Sequence, residues 1–253
     1  MSPLGISGLA HLFGILAFIL LLVWLLHYRE GIDYDSDKGF RVFNAHPLLM
    51  YSCFIFLAGE LSCGCLKKQH NIVSKCNNKY LIFNFLHPLA SFLIELKHIY
   101  SYDGIPNHTK RKESQEVCSH ALHLIAIVLG IVGLNAVFKF HGMENIPNVY
   151  SLHSWIGIVT FCLFGLQWLF GFVVFMLQGA SVNTRAKVLP WHKVGGRALL
   201  FMAVCAAETG LMEKSCFLTN LKLLHGRESN LINFTGLAIL LFGVFVNFSV
   251  GFS

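Results

Sequence analysis

The sequence predicts an all-α protein built as a six-helix transmembrane bundle, and three observations carry that prediction. The chain is 55% hydrophobic and only 13% charged over 253 residues, whereas soluble domains hold about 25% charged residues. Its apolar residues gather into six windows of roughly 20, the length that crosses a bilayer as a helix. Lysine and arginine collect in particular connections between those windows, as they do on the cytoplasmic side of membrane proteins.

The first window, Ile6–Leu26, has no basic run ahead of it and is long enough to stay as a span rather than be cleaved as a signal peptide. A connection holding Arg29, Lys38 and Arg41 against Glu30, Asp33, Asp35 and Asp37 leads to the second window, Val42–Gly64. The next connection carries Lys67, Lys68, Lys75, Lys79, Lys97, Lys110, Arg111 and Lys112, which assigns it to the cytosol. The third and fourth windows are Val117–Phe138 and Leu152–Leu177, followed by a basic connection with Arg185 and Lys187 and by Lys193. The fifth is Val194–Met212, and a loop with Lys214, Lys222 and Arg227 precedes the sixth, Leu231–Phe252. With the second and fourth connections in the cytosol, both termini are cytosolic.

The stretch Tyr80–Leu96 is a weaker case. At about 17 residues it has only the minimum length for a span, and Asn84, His87 and Pro88 interrupt it. It is read as interfacial or disordered. Of the eight cysteines, Cys53, Cys118, Cys162 and Cys205 fall in or at the ends of spans and are expected to pack as small hydrophobes. The spacing of Cys63, Cys65 and Cys76 with His70 matches no tight zinc pattern. A formal charge of +6 suits a membrane protein with basic loops, and no nucleic-acid partner is expected.

Four histidines stand at the mouths of four windows: His46 in FNAHP, His120 in SHALH, His153 in YSLHSW and His192 in LPWHK. Histidine inside a membrane is costly and marks a pathway or a bound ligand. A single one at a helix mouth is more often hydrogen-bonded to backbone than bound to metal. Four in alternation shift that balance. The second and fourth helices start on the outer side and the third and fifth on the cytosolic side. His46 therefore shares a depth with His153, and His120 shares the other with His192. Two imidazole pairs, each from two helices and one near each membrane face, suit two haems with two axial imidazoles each. A crossing at Tyr80–Leu96 would invert the later helices and strand one histidine. His11, His27, His70, His98, His108 and His225 are read as structural, while His123, one turn from His120, rivals it.

At these residues the chain resembles the cytochrome b561 family. The matching stretches are His27–Gly31, FNAHPLLM from Phe43, Ala58–Glu60, HLIAIVLGIVGLNAVFKFH to His141, NVYSLHSWIGIVTFCLFGLQWLFGF from Asn148, RAKVLPWH to His192 and TGLMEK to Lys214. The form is closest to the plant tonoplast type. The resemblance implies a four-helix core holding two haem b groups, with His46, His120, His153 and His192 as axial ligands and His123 beside them. It implies ascorbate at both faces. On the cytosolic face the matching residues are Arg185 and, before the third helix, Arg111, with Gln115 where a lysine is usual and Lys110 and Lys112 nearby. On the opposite face they are Phe140, His141, Tyr150 and Asn233. Apart from the resemblance, Tyr150 and Phe140 would pass for an interfacial aromatic belt.

The implied activity is transmembrane electron transfer from cytosolic ascorbate, through the two haems, to monodehydroascorbate or a ferric chelate on the other side. The implied location is the vacuolar membrane or another endomembrane, and the expected partners are these small molecules, lipid and a second copy of the chain as a homodimer. The rival readings are a non-redox transporter whose histidines relay protons and a non-functional splice product. Residues 61–100 stand apart from the family pattern and are expected to be an atypical cytosolic insert, such as translated non-coding sequence. Glu208, an acid inside the fifth window, is expected to pair with Arg197 or to face a cavity. The sequons at Asn107, Asn233 and Asn247 fall in a cytosolic loop or in helices, so glycosylation is not expected.

Overall fold

The computed structural model describes residues 3–62, 107–177 and 180–251. Among them every regular element is helical. Six helices are long and apolar enough to cross a membrane: α1 Gly5–Tyr28, α2 Gly39–Leu61, α3 Asn107–Glu144 with its apolar part Ser119–Glu144, α4 Leu152–Met176, α5 Val182–Asn220 and α6 Gly226–Gly251. The expectations for Tyr80–Leu96, for the cysteines with His70, and for all but the first two residues of the 61–100 segment lie outside the described residues. So does the side chain of Cys118.

The helices follow the apolar windows but do not stop where those windows stop. α3 begins at Asn107 rather than near Val117, and α5 runs 39 residues through Pro190. An apolar window marks what lipid requires, whereas the helical ladder closes on its own backbone and continues into polar residues. Caps set two starts: Ser151 Oγ accepts from the Ser154 amide at 3.3 Å before α4, and Ser181 Oγ from the Thr184 amide at 3.2 Å before α5. Widened π-helical turns interrupt α1 at Trp24–Tyr28, α2 at Met50–Leu57 and α4 at Phe172–Met176.

α1 lies along α6, α6 along α5, α5 along α4, and α2 along α3, while α3 and α4 touch lightly. The α1–α6 pair thus backs a group formed by α2 to α5. The buried core joins them through Leu21 and Trp24 of α1, Phe54 and Ile55 of α2, Leu200 and Val204 of α5, and Ile239 and Phe242 of α6. Between membrane helices, close approach of backbones substitutes for the hydrophobic drive that lipid removes. Gly59 shows it: a Cβ there would stand 2.5 Å from the Phe242 ring. Large apolar side chains such as Ile15, Ile19, Val128, Ile131, Leu166 and Phe201 point outward, as lipid contact requires.

At one end of the bundle a buried acid ties α6 to the α1–α2 connection. Glu228 is fully buried, accepts from Trp24 Nε1 at 2.8 Å and from Arg29 Nε at 2.5 Å, and is also contacted by Arg29 Nη2. Asn44 Nδ2 in turn donates to the Arg29 and Gly31 carbonyls at 2.8 and 2.6 Å. That clasp holds a backbone in which Glu30 and Gly31 both take positive φ.

Two expectations are adjusted. Of the two alternatives for Glu208, pairing with Arg197 is not found. Arg197 Nε donates to Asn247 Oδ1 at 2.6 Å, and Glu208 instead lies against Gly236 of α6, with Oε1 buried and without a partner among the described residues. Cys162 is exposed on the bundle surface rather than packed, whereas Cys53 and Cys205 are half-buried.

Candidate functional site

The helix directions bring His46 at the start of α2 together with His153 at the start of α4. Their ring centres are 6.1 Å apart and their planes nearly perpendicular. Each is fixed from behind: His46 Nδ1 meets the Gly133 carbonyl of α3 at 3.0 Å, and His153 Nδ1 the Ala206 carbonyl of α5 at 2.8 Å. A carbonyl only accepts, so Nδ1 carries the proton and Nε2 keeps its lone pair, the tautomer of a metal-ligating imidazole held by an outer partner. Two metal–imidazole bonds of about 2 Å each, with each ring centre roughly 1 Å behind its nitrogen, place two axial rings about 6 Å apart. The observed pair meets that spacing.

At the other end, His120 of α3 and His192 of α5 converge on Gly171 of α4. A Cβ on Gly171 would stand 2.9 Å from His192 Cε1 and 3.5 Å from His120 Cε1. Gln167 Nε2 donates to the His192 carbonyl at 2.7 Å and lies 3.1 Å from His192 Nδ1, while Trp168 Nε1 donates to the His120 carbonyl at 3.0 Å. His123 turns inward to its own helix, with Nδ1 2.7 Å from the Ser119 carbonyl. His11, read as structural, pairs with Glu60 at 2.5 Å between α1 and α2.

The His46–His153 pair lines a largely apolar cavity shared with Met50, Phe54, Leu134, Phe161 and Gly210. Gly210 leaves room for the ring, since a Cβ there would meet His153 Cε1 at 2.8 Å. Phe140, His141 and Tyr150 also line that cavity. Asn233, expected beside them, is exposed on α6 and does not line it. Val149 next to Tyr150 holds φ +57°, strained for a β-branched residue, and it too lines the cavity. Tyr150 donates to Glu213 Oε1 at 2.9 Å. Burial and that carboxylate raise the Tyr150 hydroxyl above the usual phenol range, so it remains a donor. His141 Nδ1 is 3.1 Å from Asn148 Oδ1.

Near the His120–His192 end, Arg185 Nη2 donates back to the Leu177 carbonyl at 3.3 Å, while its Nε is buried without a partner among the described residues. That leaves an unmet donor suited to an anion. Arg111 and Gln115 lie on the first turns of α3, on residues whose side chains fall outside the description. Sequence reasoning passed over Gly133, Gly171, Gly210, Gln167 and Lys214. The lysine follows the end of the fifth apolar window, so the sequence placed it in a loop; the helix runs on to Asn220 and buries it.

A family model described as eukaryotic cytochrome b561 matches residues 84–218, which includes part of the segment set apart above. Transmembrane ascorbate ferrireductase 1 of Arabidopsis thaliana is 35% identical over 246 residues, covering 97% of this chain and 86% of its own. A probable ascorbate-specific transmembrane electron transporter 2 of Oryza sativa is 36% identical, covering 94% of this chain and 84% of its own. A plasma membrane ascorbate-dependent reductase of Xenopus laevis is 34% identical, covering 92% of this chain and 69% of its own.

Proposed function

Because the chain belongs to the eukaryotic cytochrome b561 family, we propose that it holds two haem b groups and moves electrons from cytosolic ascorbate to an acceptor across the membrane. It is an integral, multi-pass membrane oxidoreductase that transfers electrons from ascorbate. The observation that supports the two-haem reading is the placement of two imidazole pairs at opposite ends of one helix group. The residues present fit the cofactor: glycines leave space beside the rings, carbonyls fix their tautomers at one end, and the cavity wall is apolar.

His46 with His153 would hold one haem iron and His120 with His192 the other. When bound, haem supplies the one-electron couple. The protein orients the imidazoles through Gly133, Ala206 and Gln167, and keeps water from the pair with Phe54 and Phe161. Arg185, with Arg111 on the same cytosolic side, would bind ascorbate as a monoanion by charge-assisted hydrogen bonds. On the opposite face Phe140, His141 and Tyr150, with Asn233 as the outlier, would receive monodehydroascorbate or a ferric chelate. In this reading the membrane is that of the vacuole or another endomembrane, and the assembly is a homodimer.

The deciding experiment is an ascorbate-reduced minus oxidised optical spectrum of the purified protein, with haem counted per chain. A b-type signal and two haems are expected; folded protein without haem would sink the reading. Arg185→Gln is expected to raise the ascorbate concentration for half-maximal reduction by about tenfold to a hundredfold, from loss of hydrogen bonds to a charged group worth about 1.5–3 kcal/mol. The dithionite-reduced spectrum should stay unchanged.

A further inference from the structure

Near the His46–His153 pair a lysine is buried where, among the described residues, no carboxylate forms an ion pair with it. Lys214 of α5 is 7% exposed. Its ammonium stands 3.8 Å from the centre of the Phe43 ring, 4.8 Å from Phe40, 5.1 Å from Phe140 and 5.2 Å from Phe217. Ring faces attract a cation, yet they take none of its three N–H bonds in the way an oxygen would. Among the described residues no carboxylate comes within ion-pair distance of Nζ. Glu228 is engaged by Arg29 and Trp24, Glu213 by Tyr150, and Glu144, whose Oε1 lies against Gly39, acts on Lys214 from beyond ion-pair distance. A buried charge without a contacting counter-ion is strongly unfavourable, so the three N–H groups of this ammonium are free to take an anion in direct contact.

Its position says which anion. Lys214 follows Gly210 by four residues and so shares its face of α5, and a Cβ on Gly210 would touch the His153 ring at 2.8 Å. Phe43 precedes His46 by three residues on α2, with ring centres 6.1 Å apart. Lys214 and Phe43 therefore stand one helical turn, about 5.4 Å, outward of Gly210 and His46 on their helices. Lys214 lines the same cavity as both imidazole rings. A soluble anion arriving from water would first meet Tyr150, which is 56% exposed; Lys214 lies behind the phenylalanines.

We propose that Lys214 binds a propionate carboxylate of the haem held by His46 and His153, anchoring that group and raising its potential. The inference rests on the two-haem reading above. A fixed positive charge in a low-dielectric site favours the state with one more electron, and an N–H···O bond to a carboxylate adds a charge-assisted anchor.

The test compares purified wild type with Lys214→Met and Lys214→Arg, reading haem per chain, the rate of haem transfer to excess apomyoglobin, and a spectral redox titration. In Lys214→Met one of the two haems is expected to transfer roughly tenfold faster, and one of the two midpoint potentials to fall while the other stays; Lys214→Arg should restore both. Should Lys214→Met fail to accumulate, Lys214→Gln is read in the same way. Unchanged transfer and potentials in the methionine or glutamine variant overturn the proposal. So does a higher acceptor requirement at unchanged haem retention and potential, which would assign Lys214 to the substrate. A wild type without haem would instead overturn the two-haem reading itself.

Discussion

Replacing His192 by alanine is expected to lower the haem content of the purified protein from two per chain to one. The imidazole is brought to its partner His120 beside Gly171 by the start of α5, and Gln167 holds the His192 backbone there. Alanine keeps the helix and removes the only nitrogen this position can offer iron. His120→Ala should do the same, since a pair cannot ligate from one side. His123→Ala serves as the control, because its Nδ1 is engaged with the Ser119 carbonyl and its ring stands against Phe164. A pyridine haemochrome count on each variant gives the answer. Two haems after His192→Ala or His120→Ala would refute the ligand assignment, and loss of one after His123→Ala would transfer the role.

Glu228→Ala is expected to cost about 3–5 kcal/mol of stability, the range for removing one partner of a buried ion pair. Arg29 would be left with its charge largely out of water, and Trp24 Nε1 would lose its acceptor. The damage should extend toward His46, because Asn44, two residues before it, hangs from the Arg29 and Gly31 carbonyls. In a chain of this size such a loss lowers Tm on the order of 10 °C. Thermal unfolding of the detergent-purified protein checks it, with Glu228→Gln expected between wild type and alanine. An unchanged Tm in the alanine variant would show that the clasp carries no stability.

Much of the architecture was legible before any coordinates. Lipid accepts no unpaired backbone, so roughly 20 apolar residues in a row can only be a crossing helix. Helix direction alternates with each crossing, and this alone sorted His46 with His153 and His120 with His192. Helix ends were less legible. α3 and α5 outrun their apolar windows because hydrogen bonding, not hydropathy, sets where a helix stops. The candidate site divides in the same way. Phe140, His141 and Tyr150 cluster within about ten residues of one another in sequence and line one cavity. Asn233 comes from another helix, and its rotation about that helix leaves it exposed and outside the cavity lining.

The sequence by itself located the six described spans and their order and paired the histidines by helix end, because a bilayer turns composition along the chain into position along one axis. Only the tertiary structure decided what lies around that axis. It turned Gly133, Gly171 and Gly210 toward the imidazoles, matched Arg197 with Asn247 rather than Glu208, and closed four phenylalanines from three helices around Lys214. Those outcomes depend on how each helix is rotated against its neighbours. Packing sets that rotation, and the one-dimensional pattern of apolar residues leaves it open.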